Sequence, residues 1–365
     1  MNKVLLTGAA GDVGTRLRKL LQGVYTLRSS DIRRPADLAA GDDFVQGDLG
    51  DYAAVEKMVA GIDGIIHLGG FSVEGPWPTI LNANIIGCYN LFEAAYRAGV
   101  QRVVFATSNH AVGFYPRDKT IGVNVTVRPD SRYGVSKAFG EALGAFYADK
   151  HGLRVTCIRI GNVGDAPLDQ RRLSIWLKPE DLVQLIRIGL EHRDIRFEIF
   201  YGASDNEAGW WDNSNARRHG YKPQGRAEDF RAQAMAAQAK LAPDPVGDRF
   251  QGGPFLATNM TPTSGLSALL AGLLLAAAPA AAQDIRGLEV CTAEKQMERR
   301  TGCLQANVEL LHQLLLKTTR ESNARLAAVE RDLAAARAEI AALKSALAKF
   351  EGELAALKKM ETKKP

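Results

Sequence analysis

Thr7-Gly8-Ala9-Ala10-Gly11-Asp12-Val13-Gly14 lies between a short apolar run, Val4-Leu5-Leu6, and the start of a helical apolar face, Val13 with Leu17, Leu20 and Leu21. The run suits a buried strand and the 3–4 spacing suits a helix, so the glycines sit at a strand-to-helix turn. Gly8 permits a tight turn, Gly11 lets backbone N–H groups approach a pyrophosphate, and Gly14 lets the helix pack against its strand. The helix would meet the anion with unpaired N–H groups and the positive end of its dipole.

The pattern continues outward from that turn. Val24 to Ser30 reads as a second strand ending at Asp31, about 20 residues on, where a carboxylate can accept from an adenosine ribose. Arg33 and Arg34 follow and could instead meet a 2′-phosphate. Asp31 would repel that phosphate, so NAD is favoured over NADP. Phe44 to Leu49 ends in Gly47-Asp48-Leu49, where Asp48 could bond an adenine amino group. Gly64 to Gly70 is an apolar run ending in Gly69 and Gly70, which admit a cofactor closely. Arg102 to Ser108 and Arg154 to Ile160 are the next strands, with a helical pattern at Asn84 to Ala98 between. This alternation predicts an α/β fold, a Rossmann doubly wound parallel sheet covered on both faces. Ligands then belong at the C-terminal strand ends, where Gly70, Ser72, Ser108 and Gly161 all fall.

Tyr133-Gly134-Val135-Ser136-Lys137 places a phenol and an ammonium four residues apart on one helix face. A free tyrosine has a pKa of about 10, and a nearby cation favours its phenolate. Tyr133 can then take a hydroxyl proton as hydride leaves for the cofactor, with Ser108 holding the reacting oxygen.

On these residues the chain resembles the extended short-chain dehydrogenase/reductases. The likeness rests on Thr7-Gly8-x-x-Gly11-x-x-Gly14, Asp48-Leu49, Asn84, and Ser108 with Tyr133 and Lys137. Within that family it is similar to the bacterial uronate dehydrogenases over residues 1–257. That narrower likeness rests on His67-Leu68-Gly69-Gly70-x-Ser72-Val73-Glu74, Ser108-Asn109-His110, Arg132 to Lys137, Gly209-Trp210-Trp211-Asp212-Asn213 and Arg249-Phe250-Gln251-Gly252-Gly253. The resemblance implies NAD-dependent oxidation of the C1 hydroxyl of cyclic galacturonate or glucuronate, giving an aldarolactone. It implies catalytic roles for Tyr133, Lys137 and Ser108. It implies cofactor contacts from Gly8, Gly11, Asp12, Val13, Gly14, Asp31, Ile32, Asp48, Leu49, Leu68, Gly69, Gly70, Asn84, Val163, Tyr133 and Lys137, and sugar contacts from Ser72, Ser108, Asn109, His110, Asn162 and Arg171. Asn162 departs from the family pattern, which has a serine there. That departure leaves the choice between galacturonate and glucuronate open.

The residues themselves suit this substrate class. Arg171 offers a planar fork that matches a carboxylate. Trp210 and Trp211 read as packing residues. The six histidines and four cysteines show no metal-ligand spacing, so no metal is expected. The alternatives are a nucleotide-sugar epimerase or dehydratase and a cofactor sensor without turnover. The first needs a substantial C-terminal region, and only about 95 residues separate Gly161 from a break in composition. The second often lacks the tyrosine or the lysine.

Of the 365 residues, 46% are hydrophobic, and the formal charge is +5. Unclustered in the enzyme part, that charge does not indicate nucleic acid binding. Residues 1–258 form the expected NAD-binding dehydrogenase domain, with the substrate part mainly at 161–258. Cys88 and Cys157 read as reduced core residues of a cytoplasmic protein. After Asn259 the character changes. Residues 260–282 resemble a signal peptide, with Met260, the apolar run Leu266 to Ala278 and Ala280-Ala281-Ala282, though a positive n-region is missing. In 283–365, Leu326, Leu333, Ile340, Leu347 and Leu354 recur at heptad spacing, with Val329, Ala336, Leu343, Phe350 and Leu357 as the second seam. This predicts a helical coiled-coil tail able to self-associate. Cys291 and Cys303 could pair in an oxidising compartment. The tail reads as a second, exported protein joined to the enzyme, or as a natural oligomerisation tail.

Overall fold

The computed structural model describes residues 1–256. The signal-peptide-like segment, the coiled-coil tail and Cys291 and Cys303 lie outside the described residues.

Nine strands are present among them: β1 (Lys3–Thr7), β2 (Thr26–Asp31), β3 (Phe44–Gln46), β4 (Gly64–His67), β5 (Arg102–Ser108), β6 (Arg154–Ile160), β7 (Asn162–Val163), β8 (Trp176–Leu177) and β9 (Phe197–Gly202). Seven form one sheet in the order β3-β2-β1-β4-β5-β6-β9, every neighbouring pair parallel. β7 and β8 pair separately. The order runs outward from β1 in both directions, so a crevice opens at the ends of β1 and β4.

The α-helices are α1 (Asp12–Leu20), α2 (Tyr52–Val59), α3 (Trp77–Ile80), α4 (Gly87–Arg97), α5 (Arg132–His151), α6 (Gln170–Ile175), α7 (Pro179–Glu191), α8 (Ser214–Arg218) and α9 (Arg231–Gln238) among the described residues. Successive strand side chains point to opposite faces, and here both faces are apolar. Leu5, Ile65, Val103, Val155 and Cys157 pack on one side with Phe92 of α4 and Tyr147 of α5. Val4, Leu6, Ile66, Val104 and Ile158 pack on the other with Leu17 of α1 and Leu185 of α7. That double burial is why these strands read as continuous apolar runs.

Three elements differ from the sequence expectation. β2 begins at Thr26 rather than Val24, because the Val24 N–H is still bonded to Leu21 in the turn after α1. β3 stops at Gln46, and the chain then turns at Leu49–Gly50, where the Asp48 carboxylate accepts from Gly50 N–H at 2.8 Å. The helix expected from Asn84 starts as a π-helical turn, Leu81–Ile86, and becomes α4 only at Gly87. Such wide turns are uncommon and frequent at functional sites. This one aims Asn84 back at the loop after β4.

The C-terminal part is tied down by one buried glutamine. Gln251 donates to the carbonyls of Pro116 (3.1 Å) and Lys119 (2.8 Å) and accepts from Trp211 Nε1 (2.9 Å). Trp211 lies flat on Tyr201, ring centroids 4.9 Å apart, and Trp210 is buried. Both tryptophans pack, as their sequence suggested. No described helix is long and apolar enough to cross a membrane.

Candidate active site

A continuous cleft of about 850 Å³ runs along the C-terminal ends of β1, β2, β4 and β5. Its glycine turn is built by exclusion. Gly8 has φ +69°, and a Cβ there would stand 2.9 Å from the backbone of Leu68 and Gly69. At Gly14 a Cβ would run into the Gly8 carbonyl oxygen and Ala9. Gly11 is different. Its Cβ would touch nothing nearer than the Gly8 oxygen, at 3.4 Å. The protein does not demand glycine at position 11, so the bare backbone there leaves space on the cleft side. Gly11 also N-caps α1 without any side-chain cap, leaving the first helical N–H groups facing the cleft. An anionic diphosphate fits that cradle.

Asp31, at the end of β2, accepts from Ala10 N–H (2.9 Å) and from Arg33 N–H (3.4 Å). It therefore both lines the cleft and braces the glycine turn. Arg34 is committed elsewhere, donating to Ala39 O at 2.6 Å and lying 5.1 Å over the Phe44 ring. Arg33 is exposed and uncommitted to any carboxylate among the described residues. Across the cleft, Thr7 Oγ1 shares a 2.8 Å hydrogen bond with His67 Nδ1 and accepts from Gly69 N–H at 3.1 Å. Burial drives His67 down to about 3, so this ring stays neutral.

The proton-handling residues gather at the other end. Ser108, Tyr133 and Lys137 are all buried and all line the cleft. α5 places the phenol and the ammonium one turn apart, with Lys137 Nζ 5.5 Å from the Tyr133 ring centre. Nζ donates to the Ala106 carbonyl at 2.8 Å. Burial pushes Tyr133 up to about 12, outweighing the lowering effect of the neighbouring Ser108 hydroxyl. Burial likewise pushes Lys137 down to about 8. Burial thus raises the phenol, and the Lys137 ammonium expected to favour its phenolate is turned to the Ala106 carbonyl.

Of the residues expected to hold a cofactor, Gly8, Gly11, Asp12, Val13, Gly14, Asp31, Ile32, Asp48, Leu49, Leu68, Gly69, Gly70, Tyr133 and Lys137 line the cleft. Asn84 and Val163 do not. Asn84 is buried behind Gly70, accepting from Phe71 N–H (2.7 Å) and donating to Phe71 O (2.9 Å) and Ser136 Oγ (2.9 Å). It clamps the loop that other residues use. Val163 is in the short ladder, opposite Leu177. Of the expected sugar contacts, Ser72, Ser108, Asn109 and His110 line the cleft. Asn162, opposite Trp176 in the same ladder, is off its wall. Arg171 stands one residue behind the wall. Its Nε donates to Gln251 O (2.9 Å), and with the Asn109 amide turned to satisfy both its ends, a terminal nitrogen donates to the amide oxygen (3.0 Å).

Sequence reading missed several groups at this end. Glu74 accepts from Tyr133 N–H at 3.0 Å, bracing the start of α5. Asp130 is wholly buried against His110. Phe255 stacks on the His110 ring with centroids 3.9 Å apart. Glu74 and Asp130 are ordinary loop carboxylates in sequence, and only the fold brings them together. The described residues hold no cluster of three or more His, Cys, Asp or Glu placed to bind a metal.

Comparison with known proteins fits this geometry. Residues 4–171 match the model of the NAD dependent epimerase/dehydratase family. A uronate dehydrogenase of Pseudomonas putida is 46% identical over 257 residues, spanning 70% of this chain and 95% of that protein. The chain belongs to the NAD-dependent epimerase/dehydratase family. A uronate dehydrogenase of Agrobacterium fabrum is 44% identical, spanning 70% of this chain and 97% of its own length. The solved structure of a uronate dehydrogenase from Agrobacterium tumefaciens, a mutant complexed with NAD, superposes with a TM-score of 0.68 at 44% identity. It covers 72% of this chain and 99% of that one. The epimerase/dehydratase match thus spans the glycine turn, the Ser108, Tyr133 and Lys137 group and Arg171.

Proposed function

We propose that this chain is an NAD-dependent uronate dehydrogenase, oxidising the C1 hydroxyl of cyclic galacturonate or glucuronate to the aldarolactone. One observation carries the reading: the buried group of Ser108, Tyr133 and Lys137 shares a single cleft with the uncapped glycine turn. The turn and Asp31 would hold NAD, which when bound supplies the hydride acceptor. Ser108 holds the reacting oxygen, and Tyr133 accepts its proton as the phenolate, which Lys137 and the positive nicotinamide ring of bound NAD would favour against the burial of the phenol. Lys137 keeps a positive charge beside the phenol as that proton arrives. Arg171, held behind the cleft wall against Asn109, would supply the charge that draws the sugar carboxylate to that amide. Steady-state NADH formation against galacturonate, glucuronate, their parent sugars and UDP-sugars tests the whole reading. Turnover of UDP-sugars alone would overturn it.

Activity with NAD is expected to exceed activity with NADP, because Asp31 occupies the ribose end of the cleft. Asp31→Ala should narrow that gap and also weaken NAD binding, since the Ala10 brace goes with it. A wild-type preference for NADP would make Arg33 the reader.

Burial of Lys137 has a cost in stability. Its pKa falls from 10.5 to about 8 on folding. Between about 8 and 10.5 the unfolded chain binds more protons here, so stability rises with pH through that window. Below about 8 both states carry the proton, and the folded one bears the full desolvation penalty. Lys137→Met should therefore raise the Tm at pH 7 while removing most turnover. Thermal melts at pH 7 and pH 10 check this, and the gain from Met should shrink at the higher pH.

In this reading the domain at 1–258 works in the cytoplasm, where the buried thiols of Cys88 and Cys157 would stay reduced, and residues 161–258 back the substrate end whose cleft wall is Ser72, Ser108, Asn109 and His110. Residues 260–365 lie outside the catalytic unit in this reading. A chain ended at Thr258 should keep full activity, and residues 283–365 made alone should self-associate without it. Loss of activity on truncation would return the tail to the enzyme.

A further inference from the structure

Beneath His110 lies a carboxylate that the reaction as described does not use. Asp130 Oδ2 sits 2.7 Å from His110 Nδ1, and the Asp130 side chain is fully inaccessible. Space for it is made by two glycines. A Cβ at Gly113 or at Gly252 would run into Oδ2. The Asp130 N–H also donates to the His110 carbonyl at 3.2 Å, so the two residues are joined through backbone and side chain.

Hydrogen-bond accounting fixes where the protons are. Ser131 Oγ accepts from Gly134 N–H (2.9 Å) as the N-cap of α5. Its single hydroxyl proton is then free to go to Asp130 Oδ1, 2.8 Å away. As a carboxylate Asp130 offers only acceptors, so the hydrogen of its 2.7 Å contact with His110 belongs to Nδ1. The imidazole is pressed between the Phe255 face at 3.9 Å and the Tyr133 edge at 5.8 Å. Burial there holds its pKa below the ordinary imidazole value despite Asp130. A neutral ring with Nδ1 protonated has a bare Nε2, and His110 lines the cleft.

We infer that Asp130 is a positioning residue that fixes the His110 tautomer, so that Nε2 presents an obligate acceptor to the cleft and selects a sugar hydroxyl that donates. This rests on the reading of the cleft as a uronate site. Its consequence is a specificity rule. A sugar acid bearing fluorine in place of that hydroxyl has no proton to give and is rejected, although its size is nearly unchanged.

Asp130→Asn tests the rule by inverting the ring. Ser131 still donates to the oxygen of the new amide, which turns the NH₂ towards Nδ1. His110 must then carry its proton on Nε2 and become a donor. The tautomer is read directly from ¹⁵N-histidine NMR of the full chain, with His110→Gln assigning the resonance. Wild type should show Nδ1–H and Asp130→Asn should show Nε2–H. In steady-state assays, the 2-, 3- and 4-deoxyfluoro uronates should include one whose kcat/KM is at least tenfold below that of the parent sugar acid. Asp130→Asn should shrink that discrimination by at least tenfold, through KM, with the KM for NAD unchanged. Nε2–H in the wild-type protein would overturn the inference without any variant. Correct tautomers with no fluoro discrimination at any position would overturn the selection rule. Failure to turn over any uronate, with the tautomers as stated, would locate the failure in the uronate reading instead.

Discussion

Tyr133→Phe is expected to lower kcat by about 10²–10⁴-fold, the usual worth of a positioned proton acceptor, with NAD binding nearly unchanged. The ring is held independently of its hydroxyl. His110 lies 5.8 Å and Phe255 6.2 Å from the ring centre, and Glu74 takes the backbone N–H. Phenylalanine therefore keeps the packing and loses only the group that accepts the proton. The hydroxyl removed is also a buried polar group pushed up to about 12, so the variant should be no less stable. Single-turnover NADH formation, alongside NAD titration by fluorescence, separates the two effects. A variant retaining more than half of wild-type turnover would remove Tyr133 from the chemistry.

Arg171→Ala should raise KM for galacturonate and glucuronate by roughly 10- to 150-fold, the equivalent of a charge-assisted hydrogen bond of about 1.5–3 kcal/mol. Burial and the neighbouring Arg172 and Arg117 push its guanidinium down to about 10. Its hydrogen bonds go to the Gln251 carbonyl and the Asn109 amide, and among the described residues no carboxylate lies within ion-pair distance of it. A desolvated cation held only by neutral oxygens is poised to take an incoming anion. Arg171→Lys should recover part of the loss, because an ammonium supplies charge without the planar fork. The KM for NAD should not move. An unchanged KM for uronates would shift the carboxylate to Asn109 and His110, which line the cleft directly.

Where sequence logic worked, local chemistry determined structure. Two glycines of the first turn are required by the chain itself, Gly8 by its φ and close approach and Gly14 by close approach, while Gly11 leaves the cleft side bare. The parallel sheet was legible because apolar runs bounded by turns are what double burial requires, as at Ile65-Ile66 and Val103-Val104. What stayed hidden depends on partners far along the chain. Asn84 carries the right side chain for a ligand contact, but the π turn faces it to Phe71. Lys137 has the right spacing to lower a phenol, yet its burial could only be weighed once the surrounding helices were in place. Asp130 gave no signal, since its meaning comes from His110, Gly113 and Gly252, the last more than a hundred residues away.

The Gln251 tie has a consequence for how this protein is made. The sheet is complete in sequence at Gly202, but the surfaces over His110 and under Asp130 arrive with Gly252 and Phe255. Gln251 closes loops of 135 and 132 residues back to Pro116 and Lys119. Contacts of such long sequence separation form late, because the loop entropy must be met before they reward it. During synthesis, then, the cleft residues are made before those that pack behind His110 and Asp130. A chain released between Gly202 and Arg249 would lack the residues that pack on His110 and make room for Asp130.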